Sequence, residues 1–171
     1  SYEPPAGSTM ELTEVSGNFH LKQRLGNTIV FEDTQDPDDD GQRVQKIVGI
    51  DGHEMTFDYH NDDRINYVED DFGRRYTFGY NSDDRIDQIT DSTGRDVHYR
   101  YDSEGNLDRY TDPEDKYFYF VYEAATDPDG ATPVDPSLTE ASEHRIVRMR
   151  NHDKEIVTQN VWDVLGRVKE Q

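Results

Sequence analysis

Asp36, Asp38 and Asp40 alternate along the chain and are followed by Gly41, making a D-x-D-x-D-G segment. Alternate carboxylates in a tightly turned loop converge oxygen atoms on one hard cation, and the glycine permits the turn. The chemistry this spacing suggests is calcium binding, with Glu32 or Asp33 available to close the site. An EF-hand loop would place a bidentate Glu at its twelfth position, where this chain has Ile47. A solvated acidic loop is the other reading of the same residues. The later DPDG, from Asp127 to Gly130, supplies too few ligands to nominate.

Other familiar chemistries find little footing. His53 and Glu54 resemble the opening of the zinc-protease HExxH, but the fifth residue is Phe57 and the segment alternates like a strand where that motif needs a helix. His144 and His152 lie across a strand and turn and read as surface or hydrogen-bonded histidines. No G-x-S-x-G, phosphate-binding P-loop or G-x-G-x-x-G segment occurs. With 38 acidic residues, the closeness of two carboxylates says nothing about acid–base catalysis. The sequence therefore nominates no catalytic residue and reads as a structural and binding element. Tyr119 and Trp162 are its candidate ligand-binding residues, because exposed Tyr and Trp rings stack on sugars and make glycans a ligand class. Same-face rings can equally serve as cross-strand ladders that hold a sheet together.

Composition limits what positions these residues. Only 32% of the chain is hydrophobic, 33% is charged, and the formal net charge is −20, values near the disordered class. Against that stand 11 Tyr, 7 Phe and 1 Trp at regular intervals, which a disordered acidic chain lacks. Of the 38 acidic residues 25 are aspartate, and Asp accumulates at turns because its side chain bonds the backbone. Calcium binding and a salt-rich habitat are the other sources of such a bias. No run of Lys and Arg is visible, so DNA and RNA are disfavoured partners. There is no cysteine, hence no disulfide or thiolate metal site, and no apolar run near the roughly 20 residues of a membrane helix.

The positioning elements emerge from a 21-residue repeat. GHEMTFDYHNDDRINYVEDDF from Gly52, GRRYTFGYNSDDRIDQITDST from Gly73 and GRDVHYRYDSEGNLDRYTDPE from Gly94 align, and DKYFYFVYE opens a fourth copy at Asp115. Each copy carries three alternate apolar residues, such as Met55, Phe57 and Tyr59, or Phe118, Phe120 and Tyr122. Alternation of period two is the mark of a half-buried strand. Turn residues follow, then apolar positions three apart, such as Ile65 and Val68, which share a face only if a bulge intervenes. The expected fold is all-β, a curved antiparallel sheet of tandem hairpins with hardly any helix. Upstream, Gly26 to Asp33 and Arg43 to Ile47 read as strands and Gly17 to Arg24 as another. Residues 1–16 read as a partly disordered lead, 17–171 as the repeat domain, and 34–42 and 124–143 as loop insertions, with no linker dividing the chain.

YRYDSEGNL and VWDVLGRV are similar to the YD-repeat signature, an aromatic, a spacer, an aromatic–Asp pair, then Gly, Arg or its substitute, and an aliphatic residue. With several copies in register from about Gly17 to Gln171, most of the chain resembles the RHS/YD-repeat family. It departs from the pattern at Asp63 and Asp84, where the family prefers Gly, and at His60 and Asn81, where it prefers Asp. The resemblance implies a spiral β-shell in a bacterial secreted or surface protein, enclosing or presenting a toxin domain, or an adhesion ectodomain of the teneurin kind. It implies as partners the flanking repeats and a C-terminal cargo domain of the same polypeptide. An extracellular adhesion module that binds carbohydrate or a partner protein, with or without calcium, is the alternative role.

Overall fold

A computed structural model describes residues 10–23, 26–32, 43–122, 145–162 and 167–171. The candidate calcium residues Asp36, Asp38 and Asp40 lie outside them, as do His144 and both expected insertions. The described residues contain only strands and turns. In chain order the strands are β1 (Met10–Val15), β2 (Asn18–Gln23), β3 (Thr28–Glu32), β4 (Arg43–Val48), β5 (Glu54–Tyr59), β6 (Ile65–Asp70), β7 (Arg75–Tyr80) and β8 (Ile86–Asp91). They continue with β9 (Asp96–Tyr101), β10 (Leu107–Thr111), β11 (Tyr117–Tyr122), β12 (Ile146–Arg150), β13 (Ile156–Gln159), β14 (Val161–Trp162) and β15 (Val168–Glu170). The first 13 follow one another in a single sheet of sequential order, and β14 pairs with β15. Every strand pair whose register is defined is antiparallel, the arrangement that short hairpin turns allow. The strand β1 forms at Met10–Val15, within the segment expected as a lead.

Local chemistry fixes the turns. Asp70, Asn81, Asp102, Asp112 and Asn151 each follow or end a strand, and one side-chain oxygen of each accepts backbone N–H groups two or four residues ahead. Three residues after each of them the backbone turns left-handed, at Gly73, Asp84, Gly105, Asp115 and Lys154. An Asx acceptor followed by such a residue makes a tight hairpin turn with a left-handed closing residue. Asp63 and Asp84 take φ of 65° and 60°, so they occupy the same conformation as Gly105 at 84°. Asp tolerates this region through its short polar side chain, so the absent glycines do not change the kind of turn.

In several strand pairs one strand carries an extra residue, whereas β6 with β7 and β10 with β11 pair without a shift. Tyr59 faces Ile65 while Asp58 faces Tyr67, which leaves Asn66 as the bulge. The same offset leaves Gln45 between β3 and β4, Asp108 between β9 and β10, and Val147 between β11 and β12. The bulge resolves the awkward spacing of three: Ile65 pairs with Tyr59 and Val68 with Phe57, so both apolar side chains share the aromatic face. Asn66 donates from Nδ2 to Asp58 Oδ2 at 2.7 Å, so the bulged side chain is satisfied across the ladder.

Two compact units make up the chain, Ser1–Gly79 with Thr90–Gly94, and Tyr80–Ile89 with Arg95–Gln171. Val30 is the buried apolar side chain of the first among the described residues, and Val121, Tyr122 and Val147 are those of the second. Most other strand residues are half-buried, as a chain with 32% hydrophobic content requires. Stability must come from ladders of rings and bonds within the sheet more than from a thick core.

Candidate functional site

The last aromatic residue of a strand reaches back to the backbone of an earlier strand. Tyr59 donates its hydroxyl to the Val44 carbonyl at 2.9 Å, Tyr101 to Ile86 at 2.7 Å and Tyr122 to Leu107 at 3.1 Å, in each case 15 residues upstream. Trp162 does the same with its indole N–H, 3.1 Å from the Ile146 carbonyl. Beside three of these acceptors an arginine covers the ring: Arg43 lies 5.2 Å from the Tyr59 centroid, Arg85 5.6 Å from Tyr101 and Arg145 6.0 Å from Trp162. A ring is thus held on one face by a cation and at its tip by a carbonyl. At the fourth, Asn106 replaces the arginine. Burial pushes the Tyr59, Tyr101 and Tyr122 phenols above their ordinary range.

These contacts place Trp162 in the sheet's internal bonding. Tyr119, the other candidate ligand residue, sits opposite Arg150 of β12, whereas Trp162 meets Ile146 at the other end of that strand. The structure does not bring the two together. The Tyr119 ring packs edge-on against Tyr117 at 5.1 Å, and Tyr117 is in turn edge-on to His152 at 6.4 Å. His53 and Glu54 separate as well: Glu54 pairs with Lys46 at 2.9 Å, while His53 Nδ1 lies 2.8 Å from Asp71 Oδ2.

Among the described residues no group of three or more His, Cys, Asp or Glu side chains is placed to hold a metal ion. An open depression of about 320 Å³ lies in the first unit, lined by Asp51, His53, Met55, Asp71, Phe72 and Arg74 among others. Phe72 is 65% exposed there, with the His53 ring 4.8 Å away and the Arg74 guanidinium 5.5 Å from its centroid. The bond to Asp71 raises the His53 pKa above its ordinary value. The depression can hold a proton and an ion pair, and its lining contributes no hydroxyl or thiol nucleophile. No protein-family model matches the chain. No curated protein matches it either.

The second unit carries an arginine–tyrosine row that the sequence did not announce. Register aligns Arg100 of β9 with Arg109 of β10, Arg109 with Tyr119 of β11, Tyr119 with Arg150 of β12, and Arg150 with Ile156 of β13. Paired residues project to one side of a sheet, so three arginines and a tyrosine form a row across neighbouring strands. Arg148 and Tyr117 stand two residues from members of this row and share its face. Arg100 holds Asp108 with two nitrogens, at 2.8 Å from Nε and 2.7 Å from Nη2. These residues are scattered over 51 positions of the chain, which is why no basic cluster is visible in it.

Proposed function

We propose that this chain is a non-catalytic structural segment of a large RHS/YD-repeat protein, built of 21-residue hairpins and secreted or displayed by a bacterium, whose sheet encloses or presents a toxin or effector domain. The carrying observation is the recurrent aromatic tie. The same reach of 15 residues, from the last ring of a strand to a carbonyl near the start of an earlier strand, appears at Tyr59, Tyr101 and Tyr122. Strands β5, β7, β9 and β11 begin at residues 54, 75, 96 and 117, and β6, β8 and β10 at 65, 86 and 107, in step with the sequence repeat. Repetition of one unit that bonds mainly to its neighbours suits a scaffold that grows by adding units. An active centre would instead break the repeat at one place with converging polar groups.

The test is to determine the structure of the whole natural polypeptide that contains this chain. The reading expects adjoining segments to add hairpins beside this sheet and the shell so formed to surround or carry a separate domain. Adjoining segments that fold as unrelated catalytic domains, with this sheet enclosing nothing, would remove it.

A further inference from the structure

We propose that the depression in the first unit docks a basic, apolar peptide segment, with a Lys or Arg side chain held against Asp51 and Asp71 and a neighbouring aliphatic side chain laid on Phe72 and Met55. The site is built from departures from the repeat. The turn opened by Asp70 is the same Asx turn as those at Asp91 and Asp112, yet it carries Asp71 and Phe72 where they carry Ser92 and Thr93, or Pro113 and Glu114. The turn therefore does not require a phenyl ring, and Phe72 stands 65% exposed. His53 likewise takes the place that Arg74, Arg95 and Lys116 hold in the later copies, so Asp71 faces a cation that can lose its proton.

Three observations select the occupant. Its apolar half is set by Ile47, Met55 and Phe72, which line a depression of about 320 Å³, near the lower end for ligand pockets and suited to one or two side chains. Apolar exposure continues past it at Ile50, 80% exposed on the neighbouring turn, and at Tyr76, so the surface extends as a peptide needs and a small molecule does not. Charge sets the other half. Four carboxylates line the depression: Asp70 pairs with Arg74 at 2.6 Å and Glu54 with Lys46 at 2.9 Å, while Asp51 and Asp71 bond the backbone N–H and the ring of His53. While His53 is neutral, these four acids face two full cations among the described residues, and a carboxylate accepts more than one bond. A Lys or Arg tip supplies the missing charge while its stem lies along the Phe72 ring. Asp71, then Asp51 and Asp70, also hold the His53 proton, so a ligand cation and that proton compete for the same carboxylates.

The experiment uses the full 171-residue chain and a fluorescein-labelled peptide Gly-Lys-Leu-Lys-Gly, followed by anisotropy at about 0.15 M salt. Saturable binding is expected, weaker by about threefold or more at about pH 6 than at about pH 8, because His53 takes up its proton over that range. In His53→Gln the binding should be nearly level across the same range. Phe72→Thr and Asp71→Ser install the residues of the next hairpin, so the turn still forms, and each should weaken binding by about fivefold or more. Ile156→Thr and Glu114→Ser, at exposed positions of the second unit, should change it by less than about twofold. Absence of saturable binding overturns the proposal. Equal loss in the second-unit variants also overturns it, since the effect would then be attraction by net charge alone, and so does a pH dependence that His53→Gln leaves intact. A peptide with Glu in place of Lys that binds as well would assign the depression to anions, and one with Gly in place of Leu that binds as well would remove its apolar half; either result overturns the proposal.

Discussion

Replacing Tyr101 by Phe removes one hydroxyl, keeps the ring beneath Arg85, and leaves the Ile86 carbonyl without that donor. A hydrogen bond of this kind contributes about 1 kcal/mol net, so Tyr101→Phe should lower the free energy of unfolding in urea by about that amount. Tyr122→Phe should cost a similar amount through Leu107, while Tyr119→Phe, at a ring packed edge-on against Tyr117, should cost clearly less. An equal loss at all three would deny the tie a special role. The same phenols set an alkaline limit. Their folded pKa values lie above the ordinary 10.0 because burial disfavours the phenolate. A group whose folded pKa is raised contributes stability that is complete below the unfolded value and disappears as pH rises through the folded one. The urea midpoint should therefore fall from about pH 10 upward, in step with tyrosinate absorbance, and less steeply when Tyr59, Tyr101 and Tyr122 are all Phe.

At the scale of the hairpin, the decisive position is the left-handed residue that closes each turn. Gly105 has φ of 84°, and an added Cβ would meet the Arg85 guanidinium. Gly105→Ala should lower the melting temperature at a cost of about 1 kcal/mol, and Gly105→Asn should cost less, since Asn tolerates this conformation. If Ala and Asn prove equal, the turn is not imposing the strain assigned to it. Strands and turns of this type were legible in advance, because alternation and Asx-rich connections repeat with one period. The bulge was legible as a condition on Ile65 and Val68, which could share a face no other way. What escaped the sequence has a common cause. The ties end on backbone carbonyls, which carry no residue signature, and the arginine row exists only once the register of β9 through β13 is set. Strand β1 was hidden because Glu11 and Glu14 make Met10–Val15 look like solvated lead.

For the whole molecule, charge is the largest lever on stability short of the sheet itself. Twenty unbalanced negative charges repel one another, and screening reaches only about 10 Å at 0.1 M salt but closes to about 3 Å at 1 M. Sodium chloride should raise the melting temperature steadily over that range. Calcium at millimolar concentration acts differently if Asp36, Asp38 and Asp40 bind it, because a ligand held only by the folded state stabilises in proportion to RT ln(1 + [L]/Kd). Chelation that leaves the melting temperature unchanged at fixed ionic strength would limit the effect to screening and reject the calcium loop. Acid tests the same balance from the other side. As pH falls from 8 toward the isoelectric value near 4.4, repulsion declines. His53 adds to this gain, since its raised pKa makes its bond to Asp71 most favourable below its ordinary 6.5. Lower still, the sign reverses. Burial works against the Asp70 charge, but Arg74 and two backbone N–H groups outweigh it; the Arg64 bond likewise holds Asp62 below the usual 3.8. Such depressed carboxyls contribute stability above the unfolded value and lose it as pH falls through the folded one. Stability should therefore peak between about pH 4.5 and 6 and drop below about pH 4, and added salt should flatten the rise far more than the fall. Thermal melts across pH at 0.05 and about 1 M salt would show this, and a peak that stayed at pH 8 under both conditions would mean that net repulsion is not what limits this protein.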